Sequence, residues 1–395
     1  MDERRIAFVT VARSDYGLYR PILHALKDRP GVDFGLIVSG AHLSPQHGET
    51  VRTIEQDGWP IYARVNMLLA GDTAETTAAA IGLGAIGFAQ AYAAVRPQIV
   101  CLLGDRFEMF AAGAAASPFG FARAHIHGGE VTEGAIDEGF RHSLSKLSQL
   151  HFTSTEAAAS RLRRMGEEPW RILVSGAPGL DTLLAAPLLD RPAFFSRLGI
   201  PDPGAFLLAT YHPVTLEPEN NEVQVSAFLQ ALERTGLPLL FTAANADPGG
   251  SYVNGAIRAL VERSPRAWLV ENLGPDLYAS ALRHAALMVG NSSSGIIEAA
   301  SFGVPVVNVG SRQAGRERGP NVLDCPCEAE AIITAVQQGL SDEFRRSIAG
   351  RANIYGDGRA GERIAERLAR EPLGARLMRK RFADATGDAP DQEAR

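Results

Sequence analysis

At 395 residues the chain is about twice what one hydrophobic core serves, so two domains are expected. Hydrophobic residues at 46% and charged residues at 21% exclude a disordered or fibrous chain. Lys plus Arg total 39 against 45 for Asp plus Glu, and the net charge of -6 argues against nucleic acid as a partner while leaving room for a local basic pocket.

In chain order, Ile6 to Val11 reads as a buried strand, and Tyr16 to Leu26 as a helix after the turn Ala12-Arg13-Ser14-Asp15. Phe34 to Val38 is a second strand. An Ala-rich helical region from Ala74 to Val95 precedes the strand Ile99 to Leu103, and Ala124 to His127, Leu150 to Thr153 and Ile172 to Val174 follow as strands. Apolar strands separated by amphipathic helices mark a parallel sheet covered on both faces. Residues 1–183 therefore form one doubly wound domain. Pro187, Pro192, Pro201 and Pro203 punctuate a linker over 184–204. The alternation restarts over 205–378, with strands at Phe206 to Thr210, Leu239 to Thr242, Ala267 to Val270, Leu287 to Val289 and Val304 to Val309. Residues 379–395 read as a polar, disordered tail. The fold class is α/β, two Rossmann-like doubly wound domains facing across a cleft, with ligand at the carboxyl ends of the strands. Three cysteines, Cys101, Cys325 and Cys327, give no disulfide framework and suggest a reducing compartment. The start lacks a signal-peptide pattern, and no stretch reaches the ~18 uninterrupted apolar residues of a membrane helix. A cytoplasmic protein with no membrane partner is expected.

The loops after the strands carry the chemistry. In Arg13-Ser14-Asp15-Tyr16-Gly17, Ser14 or Asp15 caps a helix and Arg13 either is solvated or binds an anion. In Gly104-Asp105-Arg106, Asp105 is a helix cap or a catalytic carboxylate, and Arg106 holds it ionised or binds phosphate. The densest cluster is His125-Ile126-His127-Gly128-Gly129-Glu130 with Asp137, Glu138, Arg141, His142 and Lys146. A capped helix with a surface ion pair accounts for Asp137 and Arg141, but not for a His-rich strand end. His125 and His127 share one face of a strand, as a metal pair would, yet no zinc-type spacing accompanies them. No metal is expected. In the second half, His212 follows a strand as an acid, base or phosphate partner, and Asn245 and Asp247 follow another. The turn Gly290-Asn291-Ser292-Ser293-Ser294-Gly295 leads into a helix carrying Glu298, a cradle for diphosphate and ribose without a Walker motif.

Taken in order, Arg13 to Gly17, Gly104-Asp105-Arg106-Phe107-Glu108, His125 to Lys146, His212-Pro213-Val214-Thr215, Asn245-x-Asp247, Gly290 to Glu298 and Asn308 to Gln313 resemble the hydrolysing UDP-N-acetylglucosamine 2-epimerases. The resemblance implies the glycosyltransferase-B arrangement, a nucleotide-sugar substrate, no cofactor, and a homo-oligomer, dimer or tetramer. It implies loss of the C-2 proton and of UDP from UDP-N-acetylglucosamine, giving a 2-acetamidoglucal. Hydration with inverted C-2 configuration then releases N-acetylmannosamine, as in sialic acid synthesis. Such chemistry needs a positioned base, an acid and a held diphosphate. By resemblance, Asp105 and Asp137 are catalytic carboxylates and His212 contacts the leaving group. Ser292, Ser293, Ser294, Gly295 and Glu298 hold UDP, and Arg13 and Arg312 are further contacts. Some members have Glu where this chain has His127. Here either Glu130 takes that role or His127 is itself an acid/base, with Glu138 as a further contributor. The same reaction on a nucleotide-linked 2,4-diacetamido-2,4,6-trideoxyhexose, on the way to legionaminic acid, is the alternative. A UDP-sugar transferase on the same architecture and a non-catalytic nucleotide-sugar sensor are the rivals.

Overall fold

A computed structural model describes residues 3–71, 73–132, 136–214, 218–244 and 249–384. The chain divides into two compact units, one running to Val131, from Ala135 to Gly179 and from Arg359 onward, the other from Leu180 to Gly358.

The first unit is a seven-stranded sheet of β1 (Arg4–Thr10), β2 (Val32–Ser39), β3 (Ile61–Val65), β4 (Ile99–Leu103), β5 (Ala122–Ile126), β6 (Leu150–Thr153) and β7 (Ile172–Val174). The spatial order is β3-β2-β1-β4-β5-β6-β7, and all pairings are parallel. Every side chain of β4 and β5 is buried, because helices cover both faces, and this is why β4 reads as an unbroken apolar run, whereas β5 also buries Arg123 and His125. The second unit has β8 (Leu207–Thr210), β9 (Leu239–Thr242), β10 (Ala267–Val270), β11 (Leu287–Gly290), β12 (Val306–Val309) and β13 (Val322–Cys325), in the order β10-β9-β8-β11-β12-β13 and again parallel. The fold class is thus the expected one, two Rossmann-like α/β units.

Strand order reverses between β1 and β4 in the first unit and between β8 and β11 in the second. At such a switch the crossovers leave in opposite directions and open a crevice at the carboxyl ends. The loops that begin at Val11, Gly104, Tyr211 and Asn291 are therefore the ones placed for ligand.

Three expectations about organisation are corrected. The Pro-rich stretch 184–204 is not a bare linker: Asp190 Oδ1 accepts from the Ala193 amide at 2.9 Å and starts the helix Arg191–Leu198, with Pro192 in its first turn. Phe194 and Phe195 of that helix are buried with Phe206 and Leu240 in the second unit. The C-terminal boundary at 378 also moves, because the helix Ala360–Arg370 belongs to the first unit. Gly361 lies flat on Pro21, and Ile364 and Leu368 join the core of Ile6 and Phe8. Of the expected disordered tail, residues 379–384 are held. Lys380 Nζ donates to the carbonyls of Ser145, Lys146 and Ser148 and pairs with buried Glu167 at 2.7 Å, and Phe382 covers Gly166. Residues 385–395 lie outside the described ones.

The helix Ala74–Val95 has 22 residues and a mean hydropathy of 1.6, enough by length and composition to cross a membrane. Gln90 and the polar first turn break its apolar run. It packs on the helix Phe107–Ala116 and on β3, where Gly84 and Gly87 let Met67, Ala111 and Val65 approach its backbone.

Candidate active site

In the first unit the site is assembled from the ends of β1, β4, β5 and β6. Asp15 sits in the first turn of the helix Arg13–Leu26 and is buried. Its carboxylate accepts from the amides of Val11 at 2.8 Å, Ala12 at 2.9 Å and Tyr16 at 2.7 Å, and from the Thr10 hydroxyl at 3.0 Å. An acid at this position reaching back to the start of a helix is half of a capping box. Asp15, not Ser14, therefore organises the turn, and Arg13 beside it stays exposed.

Asp105 does not cap the helix Phe107–Ala116, whose cap position is Arg106. Its carboxylate pairs instead with Arg141 from the helix Asp137–Leu147, and the same guanidinium donates to the Glu130 carbonyl at 3.0 Å. Arg141 is nearly buried, so it fastens the β4 loop to the β5 loop. Arg106 makes two bonds to fully buried Glu108, at 2.9 and 3.2 Å. Burial opposes the charge on Arg106, but the pairing with Glu108 outweighs it and the guanidinium is held more firmly charged than usual. Asp137 opens its helix with its carboxyl raised above the usual range, first by burial and then by the charge of Asp105. Two neighbouring carboxyls are thus set in different surroundings, one bound to arginine and the other raised by burial.

The end of β5 departs from ordinary backbone. His127 has φ 64, the left-handed region that a non-glycine residue rarely enters. Gly129 follows at φ 78, where a Cβ would meet the Ala158 carbonyl oxygen at 2.4 Å. His127 Nδ1 lies 2.6 Å from Glu130 Oε1, which also accepts from the Ser154 hydroxyl at 2.5 Å. His125 is a different case. Its Nε2 meets the Gly104 carbonyl at 2.7 Å, its Nδ1 meets Ser145 Oγ at 3.0 Å, and burial pushes its imidazole down to about 3. Both ring nitrogens of His125 are occupied, so it cannot share an ion with His127. Among the described residues, no cluster of three or more His, Cys, Asp or Glu is arranged for a metal.

Further along the helix, Glu138 reaches His142 at 3.3 Å. Lys146, part of the same cluster in the sequence, is engaged away from the start of that helix. It lies nine residues past Asp137, ~13 Å along the axis. Its ammonium pairs with Glu167 at 2.7 Å and donates to the Met165 carbonyl at 3.0 Å.

In the second unit the switch point is closed by Asn291. Its Oδ1 accepts from the His212 amide at 2.7 Å and its Nδ2 donates to the His212 carbonyl at 2.8 Å, gripping that residue's backbone from both sides. Its own carbonyl accepts from Gln313 at 2.9 Å and Arg312 at 3.2 Å. Gly290 precedes it at φ 140, where a Cβ would overlap the Thr210 carbonyl. Ser292 caps the short helix Ser293–Ile297, and Ser294 Oγ accepts from the Tyr278 hydroxyl at 2.6 Å. Gly295 is buried against Val306 and Met288, a packing position. Burial pushes the Glu298 carboxyl up to about 7. Asn245 and Asp247 lie outside the described residues.

A family model described as UDP-N-acetylglucosamine 2-epimerase matches residues 24–369. The chain belongs to that family. It is an enzyme of the hydrolysing 2-epimerase type, as the relatives with the same fold length agree. It is 38% identical to a UDP-N,N'-diacetylbacillosamine 2-epimerase (hydrolyzing) of Legionella pneumophila, over 95% of this chain and 98% of the relative. It is 34% identical to a GDP/UDP-N,N'-diacetylbacillosamine 2-epimerase (hydrolyzing) of Campylobacter jejuni, over 88% and 90%. Among solved structures, UDP-GlcNAc 2-epimerase from Neisseria meningitidis bound to UDP-GlcNAc superposes with a TM-score of 0.74 at 19% identity, over 92% of this chain and 99% of that one, a likeness of fold.

Sequence reasoning did not single out Ser154, and it named Glu108 and Asn291 only within their segments, without a role of their own. Ser154 and Asn291 each follow the last residue of a parallel strand, so the same positional rule that selected Asp105 and His212 applies to them.

Proposed function

We propose that the chain is a hydrolysing 2-epimerase of UDP-N,N'-diacetylbacillosamine, releasing UDP and the free 2,4-diacetamido-2,4,6-trideoxyhexose with inverted C-2 configuration. The observation that carries this substrate is the 38% identity to the Legionella pneumophila enzyme over nearly the whole of both chains. A cavity of about 920 Å³ at the ends of β1 to β4 supports it, lined by Leu43, Met67, Leu69 and Phe107 together with Asn66 and Thr77. This sugar differs from N-acetylglucosamine by a second acetamido group and a C-6 methyl, and such a lining offers apolar wall to the methyls and amide partners to the acetamido.

In this reading Asp137 is the acid that protonates C-2 during hydration, since burial and the neighbouring Asp105 raise its carboxyl above the ordinary range. Asp105, paired with Arg141, activates the water. His212, the Ser292 to Ser294 hydroxyls, Arg312 and Arg13 take the diphosphate, and Glu298 the ribose. Action on UDP-N-acetylglucosamine is the second reading, favoured by the description of the matching family model. Incubation with each nucleotide sugar in deuterated water, followed by NMR, separates them. The expected result is free trideoxyhexose bearing deuterium at C-2, with slower release from UDP-N-acetylglucosamine. Release of N-acetylmannosamine at the higher rate selects the second reading, and no release from either refutes both.

A further inference from the structure

We propose that His127 is the base that removes the C-2 proton, and that Glu130 and Ser154 are positioning residues that aim it. The assignment rests on the reading of this chain as a hydrolysing 2-epimerase, and three independent features of the β5 end point to it.

The first is the tautomer. Glu130 Oε1 is 2.6 Å from His127 Nδ1, and an ionised carboxylate only accepts. Nδ1 therefore carries the hydrogen and the lone pair sits on Nε2. Ser154 Oγ donates to the same oxygen at 2.5 Å, which fixes the carboxylate from the β6 side. The arrangement is that of a base oriented by a third group. The second feature is that Nε2 is buried and has no hydrogen-bond partner among the described residues. Buried polar atoms are nearly always paired, and an acceptor left open calls for a reacting or ligand group. The third is the left-handed backbone at His127, held by the amide bond to Phe152 O at 2.9 Å and by the tight packing of Gly129 on Ala158. Strain of this kind persists where surrounding structure enforces it, and such positions concentrate in active sites.

The charged and titratable groups around the imidazole are accounted for. His125 of β5 is kept neutral by burial, and His151 of β6 pairs with Glu167 at 2.9 Å. Arg141 is engaged by Asp105 and the Glu130 carbonyl, and Arg161 by the Gly129 carbonyl. Glu130 is the carboxylate on the ring.

The step balances without a co-reactant. The C-2 hydrogen leaves as a proton to Nε2, and its bonding pair becomes the second bond between C-1 and C-2. The C-1 to oxygen bond breaks with its pair going to the diphosphate, and Glu130 faces the imidazolium that forms. Hydration then places the water oxygen on C-1 and a proton on C-2 from the opposite face, while the imidazolium returns its proton to solvent. A C-2 hydrogen is poorly acidic, and imidazole is a stronger base than a carboxylate by about two pH units.

The test separates the two half-reactions. His127→Gln is expected to slow UDP release from the nucleotide sugar by ~100-fold or more. The same variant, given the 2-acetamidoglucal of the sugar together with UDP, is expected to hydrate it within a few-fold of the wild type. Ser154→Ala is expected to lower kcat about tenfold at unchanged KM, the size of one lost orienting bond, with Ser154→Thr restoring it. Hydration lost while elimination persists, or a Ser154→Ala effect confined to KM, would each overturn the assignment. Calorimetric UDP binding reports folding, and the Ser154 pair decides if His127→Gln fails to bind. A wild type that releases no sugar from either substrate sinks the function itself, whereas an active wild type with an equally active His127→Gln sinks this assignment alone.

Discussion

Replacing Glu298 by Gln separates the stability cost of that carboxyl from its use. Burial raises it from the ordinary 4.5 to about 7. At ~1.4 kcal/mol per pH unit, the gap of 7 − 4.5 amounts to about 3 kcal/mol. The sign follows from the protons bound. Below pH 4.5 the carboxyl is protonated in both folded and unfolded chains and contributes nothing. Between 4.5 and 7 the unfolded chain has released its proton and the folded one has not, so stability falls as pH rises. Above 7 the full cost remains. Glu298→Gln should therefore match the wild type near pH 4 and exceed it by about 3 kcal/mol at pH 8, roughly 6–12 °C in Tm for a unit of this size. Thermal melts across that range measure it. The proposed benefit is ribose binding by the ionised form, so wild-type UDP affinity should weaken as pH falls through 7, with proton release on binding between 5 and 7. Calorimetry in buffers of differing ionisation enthalpy reads that release. Equal melting of wild type and Glu298→Gln at pH 8 would refute the buried-carboxyl argument, whatever UDP does.

Other outcomes follow from the same geometry. Asp105→Asn and Asp137→Asn should each reduce turnover by ~100-fold or more with UDP still bound, as measured by coupled UDP release; near-wild-type rates in both would remove the acid and base roles. Asn291→Ala frees the His212 backbone and leaves its amide without that acceptor, so kcat/KM should fall by ~10-fold or more while the far-ultraviolet circular dichroism spectrum is unchanged. Lys380→Met removes a cation from buried Glu167 and from three carbonyls at the end of the Asp137–Leu147 helix. A loss of about 1–3 kcal/mol in urea unfolding is expected, and a change below 0.5 would show the segment to be dispensable.

Strands covered on both faces were legible because a run such as Ile99 to Leu103 has no reason to carry a polar residue. The strands that sequence reasoning missed, β3 and β13, each lie at one edge of their sheet, whereas the opposite edges, β7 and β10, were found because they keep short apolar runs. In β3 only Val65 is buried, and β13 carries Asp324 exposed at its centre, so neither shows an apolar run. The linker was misread because Pro192 marks a helix start as readily as a loop, and the two differ by whether Phe194 and Phe195 find a core. The Ala360–Arg370 helix carried no sign of which unit it joins. That depends on Gly361 meeting Pro21, a contact between residues far apart in sequence.

In the site, what was legible is what topology dictates: groups just past parallel strands, at the two reversals of strand order. What stayed hidden is which partner each group chooses. Asp105 is equally suited to a cap or a guanidinium, and Arg141, arriving from the helix Asp137–Leu147, decides it. Lys146 belongs to the charged cluster in sequence, and in the structure it pairs with Glu167. The pair His125 and His127 shows the limit most clearly. Alternation along a strand puts them on one face, but the strand ends at Ile126, and the turn to φ 64 at His127 breaks the alternation. One imidazole is consequently locked neutral into the core, while the other is swung onto Glu130 with its second nitrogen open. A single backbone rotation thus gives two identical side chains different surroundings, one in the core and one against a carboxylate, and no count of residue types along the sequence could have told them apart.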